Sequence, residues 1–243
     1  MAKEKIQLVA PPRYDAKRLF NSRLFQFWWK DFSAELMKVD HVEFKAISGS
    51  TDDPFFLTIE VVGKEDNKPK VFTVFLRFDS VAVIILIDCV ETGERYILLA
   101  QQMRPAICSS GFVEAPAGTV NKKDGVVGRM MAEIQEETGL AVSKSDLYQL
   151  GEWYPSCGGC SEKITGYLTL KKMGQRQIQG ILQKTHGVAE EGEEITLVLL
   201  PIREFCRRIE HGEFSDGKIL SLIALLVAQY NSLAIIEALQ NIR

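Results

Sequence analysis

With 243 residues, 46% of them hydrophobic, the chain is long enough to bury a full core. Its net charge of −3 and pI of about 5.8 lack the basic surplus of a nucleic-acid footprint, and its longest apolar run, Val81 to Ile87, is far too short to span a bilayer. Met1 to Pro12 lack the apolar core of a signal peptide, and five cysteines, an odd number, point to free thiols in a reducing compartment, so a cytoplasmic location is expected.

In chain order, residues 16–38 come first, crowded with Leu19, Phe20, Leu24, Phe25, Phe27, Trp28, Trp29 and Phe32. Helical and strand-like subsets can both be drawn from them; the helical reading is taken. Val42 to Ile47 and Phe55 to Val62 read as strands around the turn-forming Ser48–Pro54, and Lys64–Lys68 is a polar turn before a strand from Val71 to Phe78. Val81 to Ile87 and Arg95 to Gln101 bracket a hairpin turn at Glu91–Glu94. Beyond a helix ending near Gly139, strands are expected at Leu147–Trp153, Ile164–Leu170 and Glu194–Leu200, then a helix from Gly217 to Tyr230 with Leu220, Ile223, Ala224 and Val227 at helical spacing. Strands on both sides of one helix, closed by another, predict an α+β fold with helices packed over a mixed sheet. A boundary near residue 70 separates an N-terminal extension, 1–70, from the main domain, 71–243.

The helix before Gly139 carries the chemistry. Glu133, Glu136 and Glu137 stand at i, i+3 and i+4, which puts three carboxylates on one face, where they repel unless a cation neutralises them. Val127, Met130, Ile134 and Met131 supply the apolar stripe; Asp124 is the expected N-cap and Gly139 the left-handed C′ residue. An acidic ridge beside the Gly118 loop suits a hard, oxygen-loving cation such as Mg²⁺.

Together these residues resemble the Nudix box, G-x5-E-x7-R-E-U-x-E-E-x-G-U with U aliphatic. Gly118, Glu133, Ile134, Glu136, Glu137, Gly139 and Leu140 match at the family's spacing, while Asp124 stands for the first glutamate and Ala132 for the arginine. Arg129, three residues before Ala132, could substitute for it. The flanks, Gln102-Met103-Arg104-Pro105, Glu114-Ala115-Pro116-Ala117-Gly118 and Pro155-Ser156-Cys157-Gly158-Gly159-Cys160-Ser161-Glu162, are similar to those of ADP-ribose, ADP-sugar and UDP-sugar pyrophosphatases, with Cys157 in place of a proline. The likeness covers about Val71 to Ala228.

The resemblance implies a Nudix α/β/α sandwich with a mixed β-sheet and an N-terminal β-rich extension that helps form a homodimer. It implies Mg²⁺-dependent hydrolysis of a nucleotide-sugar substrate, with Mn²⁺ as a substitute, and no nucleic-acid or membrane partner. The implied metal ligands are the Ala117 carbonyl, Glu133 and Glu137, with Glu136 in a direct or water-mediated role. Arg104 matches a phosphate-contacting residue, for which a guanidinium fork is well suited. Glu193 aligns best with the acidic-loop general base, and Glu191 is the second candidate. Glu114 is either structural or a ribose contact, Glu162 a bond to ligand or loop, and Trp28 either a nucleobase-stacking ring or a packing residue. Cys157-Gly158-Gly159-Cys160 lacks the second ligand pair of a structural zinc site and reads as a glycine turn; His186 and His211 read as surface or capping residues. A second class of function on the same fold is a non-hydrolysing nucleotide-sugar sensor, for which Ala132 is the support.

Overall fold

A computed structural model describes residues 6–32, 37–120, 125–189 and 192–229. The chain divides into two units, Met1–Asp79 with Tyr154–Lys163, and Ser80–Trp153 with Ile164–Arg243.

The first unit is built on a sheet of four strands in the order β1 (Gln7–Val9), β2 (Lys38–Gly49), β3 (Pro54–Glu65), β4 (Lys68–Leu76). The β3–β4 hairpin is closed by Asp66 and Asn67, both at positive φ, the geometry of a two-residue turn whose twist matches the strands. The aromatic stretch, read as one helix, forms two short ones, α1 (Ala16–Phe20) and α2 (Arg23–Trp29). Ser22 breaks them: its hydroxyl donates to the Leu19 carbonyl at 2.6 Å and accepts the Phe25 N–H at 3.4 Å, ending one helix and capping the next. Leu19, Leu24 and Phe25 are buried against Val42, Phe44, Leu57, Ile59 and Val61 of the sheet. The Cys157–Cys160 turn belongs to this unit and lies along β4, where Phe75 donates to the Gly159 carbonyl at 2.7 Å and accepts from the Ser161 N–H at 3.0 Å.

The second unit holds a mixed sheet with the path β11 (Thr196–Pro201), β6 (Arg95–Arg104), β5 (Ser80–Cys89), β10 (Ile164–Met173), β9 (Tyr148–Trp153). Two short strands join it, β7 (Ser109–Glu114) on β6 and β8 (Ala117–Thr119) on β5. β10 runs parallel to β5, and the other pairings are antiparallel. The continuous apolar run of β5 is explained by burial on both faces. Ala82, Ile84 and Leu86 pack with Ile202 and Phe205 of α5 (Ile202–Glu210) and with Ile219, Leu222 and Leu226 of α6 (Gly217–Gln229). Val81, Val83, Ile85 and Ile87 pack with Met130 and Ile134 of α3 (Gly125–Thr138) and with Ile178 of α4 (Gln175–Leu182). Each such side chain contributes roughly 1.5–3 kcal/mol on burial, and helices on both faces of this strand make the α/β/α sandwich that the family resemblance implied. Among the described residues no helix is long and apolar enough to cross a membrane.

Candidate active site

The acidic helix is α3. Met130 and Ile134 are fully buried, and so, at 4% and 3% exposure, are Glu133 and Glu137. The stripe that anchors the helix is therefore contiguous with two of its carboxylates, while Glu136 is only half-buried. Gly139 ends the helix at φ 72° with its N–H on the Gln135 carbonyl at 3.0 Å, as the glycine signal anticipated. The N-cap expected at Asp124 lies outside the described residues.

β8 presses onto this helix. Ala117 N–H donates to Glu137 Oε2 at 2.9 Å. At Gly118 a Cβ would come 1.4 Å from Glu133 Oε1, so only glycine lets backbone and carboxylate approach this closely. Burial pushes the Glu133 carboxyl up to about 7 against the pull of Arg129, with the Glu136 and Glu193 charges adding to the rise. Burial, then the Glu133 charge, raises Glu137 well above the ordinary range, and its bond from Ala117 N–H only partly opposes this. Among the described residues no three Asp, Glu, His or Cys side chains form a ready cage for an ion. Even so, two carboxylates raised above their ordinary range chiefly by burial, one of them 2.9 Å from the Ala117 N–H, are hard oxygen donors whose charge a divalent cation would relieve.

Arg129 answers the question raised by Ala132. Its guanidinium pairs with Glu133 and, at 3.1 Å, with Glu136, and its side chain is 18% exposed. A cation thus reaches the ridge from one turn earlier on the same helix. Arg129→Ala is expected to destabilise the metal-free protein at pH 8 by roughly 1–3 kcal/mol, because Glu133 would be left buried without its partner. Denaturant midpoints and turnover both unchanged would end the idea that Arg129 compensates.

Arg104, at the end of β6, meets Glu114 at the end of β7. Nε and Nη2 donate to Glu114 Oε1 at 2.8 and 2.6 Å. Glu114 is 2% exposed, and its other oxygen accepts Lys218 Nζ at 2.8 Å, so it reaches a ligand only through Arg104. Glu193 sits in a loop moored to α3: Gly187 N–H donates to the Glu136 carbonyl at 2.9 Å, and His186 exchanges backbone bonds with Ile195 at 2.8 and 2.9 Å. The Glu193 carboxylate accepts Val188 N–H at 3.3 Å, and its charge is felt by both Glu133 and Glu137. Glu191 lies outside the described residues. His186, expected as a surface or capping residue, is 9% exposed; its Nε2 bonds the carbonyl of Ile181 in the last turn of α4 at 2.8 Å, and its ring faces Gly139.

Two sequence-derived candidates belong to the first unit. Trp28 packs among Phe25, Trp29 and Phe32, with ring centroids 5.1–5.7 Å away. Glu162 is 7% exposed and pairs with Arg77 at 3.3 Å. Sequence reasoning missed Asp216 and Lys218, although an aspartate just ahead of a periodic helix is an N-cap signal.

No family model matches the chain. It is 28% identical over 230 residues to a curated protein, Nudix hydrolase 14, chloroplastic, of Arabidopsis thaliana, an alignment that covers 87% of this chain and 72% of the relative. Among solved structures it resembles that of an ADP compounds hydrolase with a TM-score of 0.57 and 15% identity, covering 81% of this chain and 97% of the other.

Proposed function

We propose that this chain is a Nudix hydrolase, as its likeness to the Arabidopsis relative supports, and that its substrate is a nucleoside diphosphate sugar: ADP-ribose, an ADP-sugar or a UDP-sugar. The reaction is Mg²⁺-dependent hydrolysis of the pyrophosphate bond, with Mn²⁺ as a substitute, releasing a nucleoside monophosphate and a sugar phosphate. The observation that carries this reading is the pair of buried carboxylates, Glu133 and Glu137, seated against β8 in the unit that also presents Arg104. The flanking motifs and the fold's likeness to an ADP compounds hydrolase support the substrate class.

The Ala117 carbonyl, Glu133 and Glu137 would hold the cation, with Glu136 beside them; when bound, it supplies charge neutralisation at the pyrophosphate and acidifies water. Arg104 binds a phosphate oxygen through its guanidinium edge. Glu193 takes the proton of the attacking water, and Glu191 is the second candidate for that role. Nucleobase stacking by Trp28 and a bond from Glu162 to ligand or loop rest on the family resemblance. So does the homodimer, for which the exposed Phe55, Phe56, Val71, Phe72 and Phe75 of the first unit's sheet are supporting apolar surface; a monomer in sedimentation equilibrium at micromolar concentration would refute it. A cytoplasmic location is likewise part of this reading, while the Arabidopsis relative is by name chloroplastic.

The test is a panel of ADP-ribose, ADP-glucose, UDP-glucose, GDP-mannose and a dinucleoside polyphosphate, with Mg²⁺ and with chelator. Release of a nucleoside monophosphate from one diphosphate sugar, lost with chelator, is expected. Binding of a nucleotide sugar with no release from any of them would replace the enzyme with the sensor.

A further inference from the structure

Asp216 and Lys218, at the start of α6, belong to none of the motifs that identify the site, yet they occupy a buried node beside it. Asp216 is 5% exposed and uses both oxygens. Oδ2 accepts Ala115 N–H at 2.9 Å and Ile219 N–H at 3.3 Å, so the same atom that caps the helix also ties down the segment leading to Ala117. Oδ1 accepts Lys218 N–H and Lys218 Nζ, each at 3.1 Å. Lys218 Nζ then reaches Glu114 Oε2 at 2.8 Å, and Glu114 Oε1 holds Arg104. The result is a row of alternating charges, Asp216, Lys218, Glu114, Arg104, in which the two carboxylates are buried and the last guanidinium is 42% exposed.

A helix cap alone needs one oxygen and no lysine. What the lysine changes is the balance at Glu114. A carboxylate this buried requires positive charge. With Lys218 supplying part of it, Glu114 orients the Arg104 fork without being its sole counter-ion, and the outer guanidinium edge stays directed at solvent, where a phosphate would bind. We propose that Lys218, held by Asp216, is a positioning residue that sets Arg104 for substrate phosphate. This rests on the reading of Arg104 as the phosphate contact.

The experiment is a double-mutant cycle on the best substrate of the panel, using Lys218→Met, Arg104→Ala and the pair. Lys218→Met is expected to raise KM about tenfold with kcat within about threefold of the parent, the split expected of lost ground-state binding. Lys218→Arg should return KM most of the way. In the Arg104→Ala background, Lys218→Met should add less than about twofold, because the arginine through which it acts is gone. Additive effects, or a fall in kcat with KM unchanged, would overturn the proposal. An Arg104→Ala enzyme with parental KM would instead overturn the role of Arg104 itself, and the two failures are thereby distinguished. Should Lys218→Met fail to fold, Asp216→Asn enters the same cycle. It keeps an oxygen for the cap while removing the charge that holds Lys218, and the same KM rise, absent in the Arg104→Ala background, is expected.

Discussion

Glu137→Gln is expected to lower pyrophosphate hydrolysis by about 10³-fold or more while leaving the fold intact and, without divalent cation at pH 8, more stable. Glutamine keeps an oxygen for the Ala117 N–H, now 2.9 Å from the carboxylate, so the β8 contact survives. What goes is the negative charge that would hold a cation and, through it, several kcal/mol of transition-state stabilisation. The stability gain follows from linkage. Burial raises Glu133 to about 7 and Glu137 above the ordinary carboxylate range. Between about pH 4.5 and 7 the folded protein therefore holds protons that the unfolded chain has released. Stability is full below the unfolded value and is lost as pH rises through the folded one. For Glu133 the loss is on the order of 3 kcal/mol, or a fall of about 6–12 °C in Tm at this chain length. Thermal melts of the parent should decline from pH 5 to pH 8 without cation, and Mg²⁺ should restore most of the loss at pH 8 and little at pH 5. In Glu137→Gln both the decline and the restoration should shrink. A parent whose melting is flat across that range with chelator present would contradict the burial argument.

Gly118→Ala is the second large effect. The added methyl would lie 1.4 Å from Glu133 Oε1 and 1.8 Å from its Cδ, so Glu133 has to leave its seat or β8 has to lift from α3. Either movement disturbs the arrangement of strand and carboxylates in which Ala117 N–H meets Glu137. We expect kcat/KM to fall by about 10²-fold or more, since small misplacements of this kind are that costly, and the fold to lose roughly 1–3 kcal/mol. The Mg²⁺-induced rise in melting temperature should vanish with the activity. Gly158→Ala is the control: nothing lies within 4 Å of its added Cβ, and neither quantity should move. Parental activity in Gly118→Ala would show that the close approach of strand and helix is not needed.

The legible parts of this molecule were those written in local spacing. The acidic ridge, the apolar stripe through Met130 and Ile134 and the Gly139 terminator all lie within one helix, where a fixed angle per residue converts spacing directly into geometry. Val81 to Ile87 was legible as a buried strand because no other element is both so short and so uniformly apolar. The short strands β7 and β8 were not, since Ser109-Ser110-Gly111 and Ala117-Gly118-Thr119 carry turn composition and become strands only because β6 and β5 offer them partners. The helices α4 and α5 went unread amid polar residues; their apolar members find their purpose on opposite faces of a sheet built elsewhere.

The same division applies at the site. Spacing alone determined that the chain presents three carboxylates on one helix face beside a glycine loop, and the resemblance of the flanking motifs to those of the pyrophosphatases singled out Arg104 and Glu114. Arg129, four residues before Glu133 on the same helix, was legible from spacing as the cation for those three carboxylates; which of them would be buried, and that Lys218 from the last described helix would share Glu114, were decided only by tertiary structure. A helix face records who stands beside whom along the chain. Desolvation and ion pairing depend on what the rest of the fold brings within a few ångströms of that face, and Glu114 and Lys218, more than a hundred residues apart, carry no mark of each other in sequence.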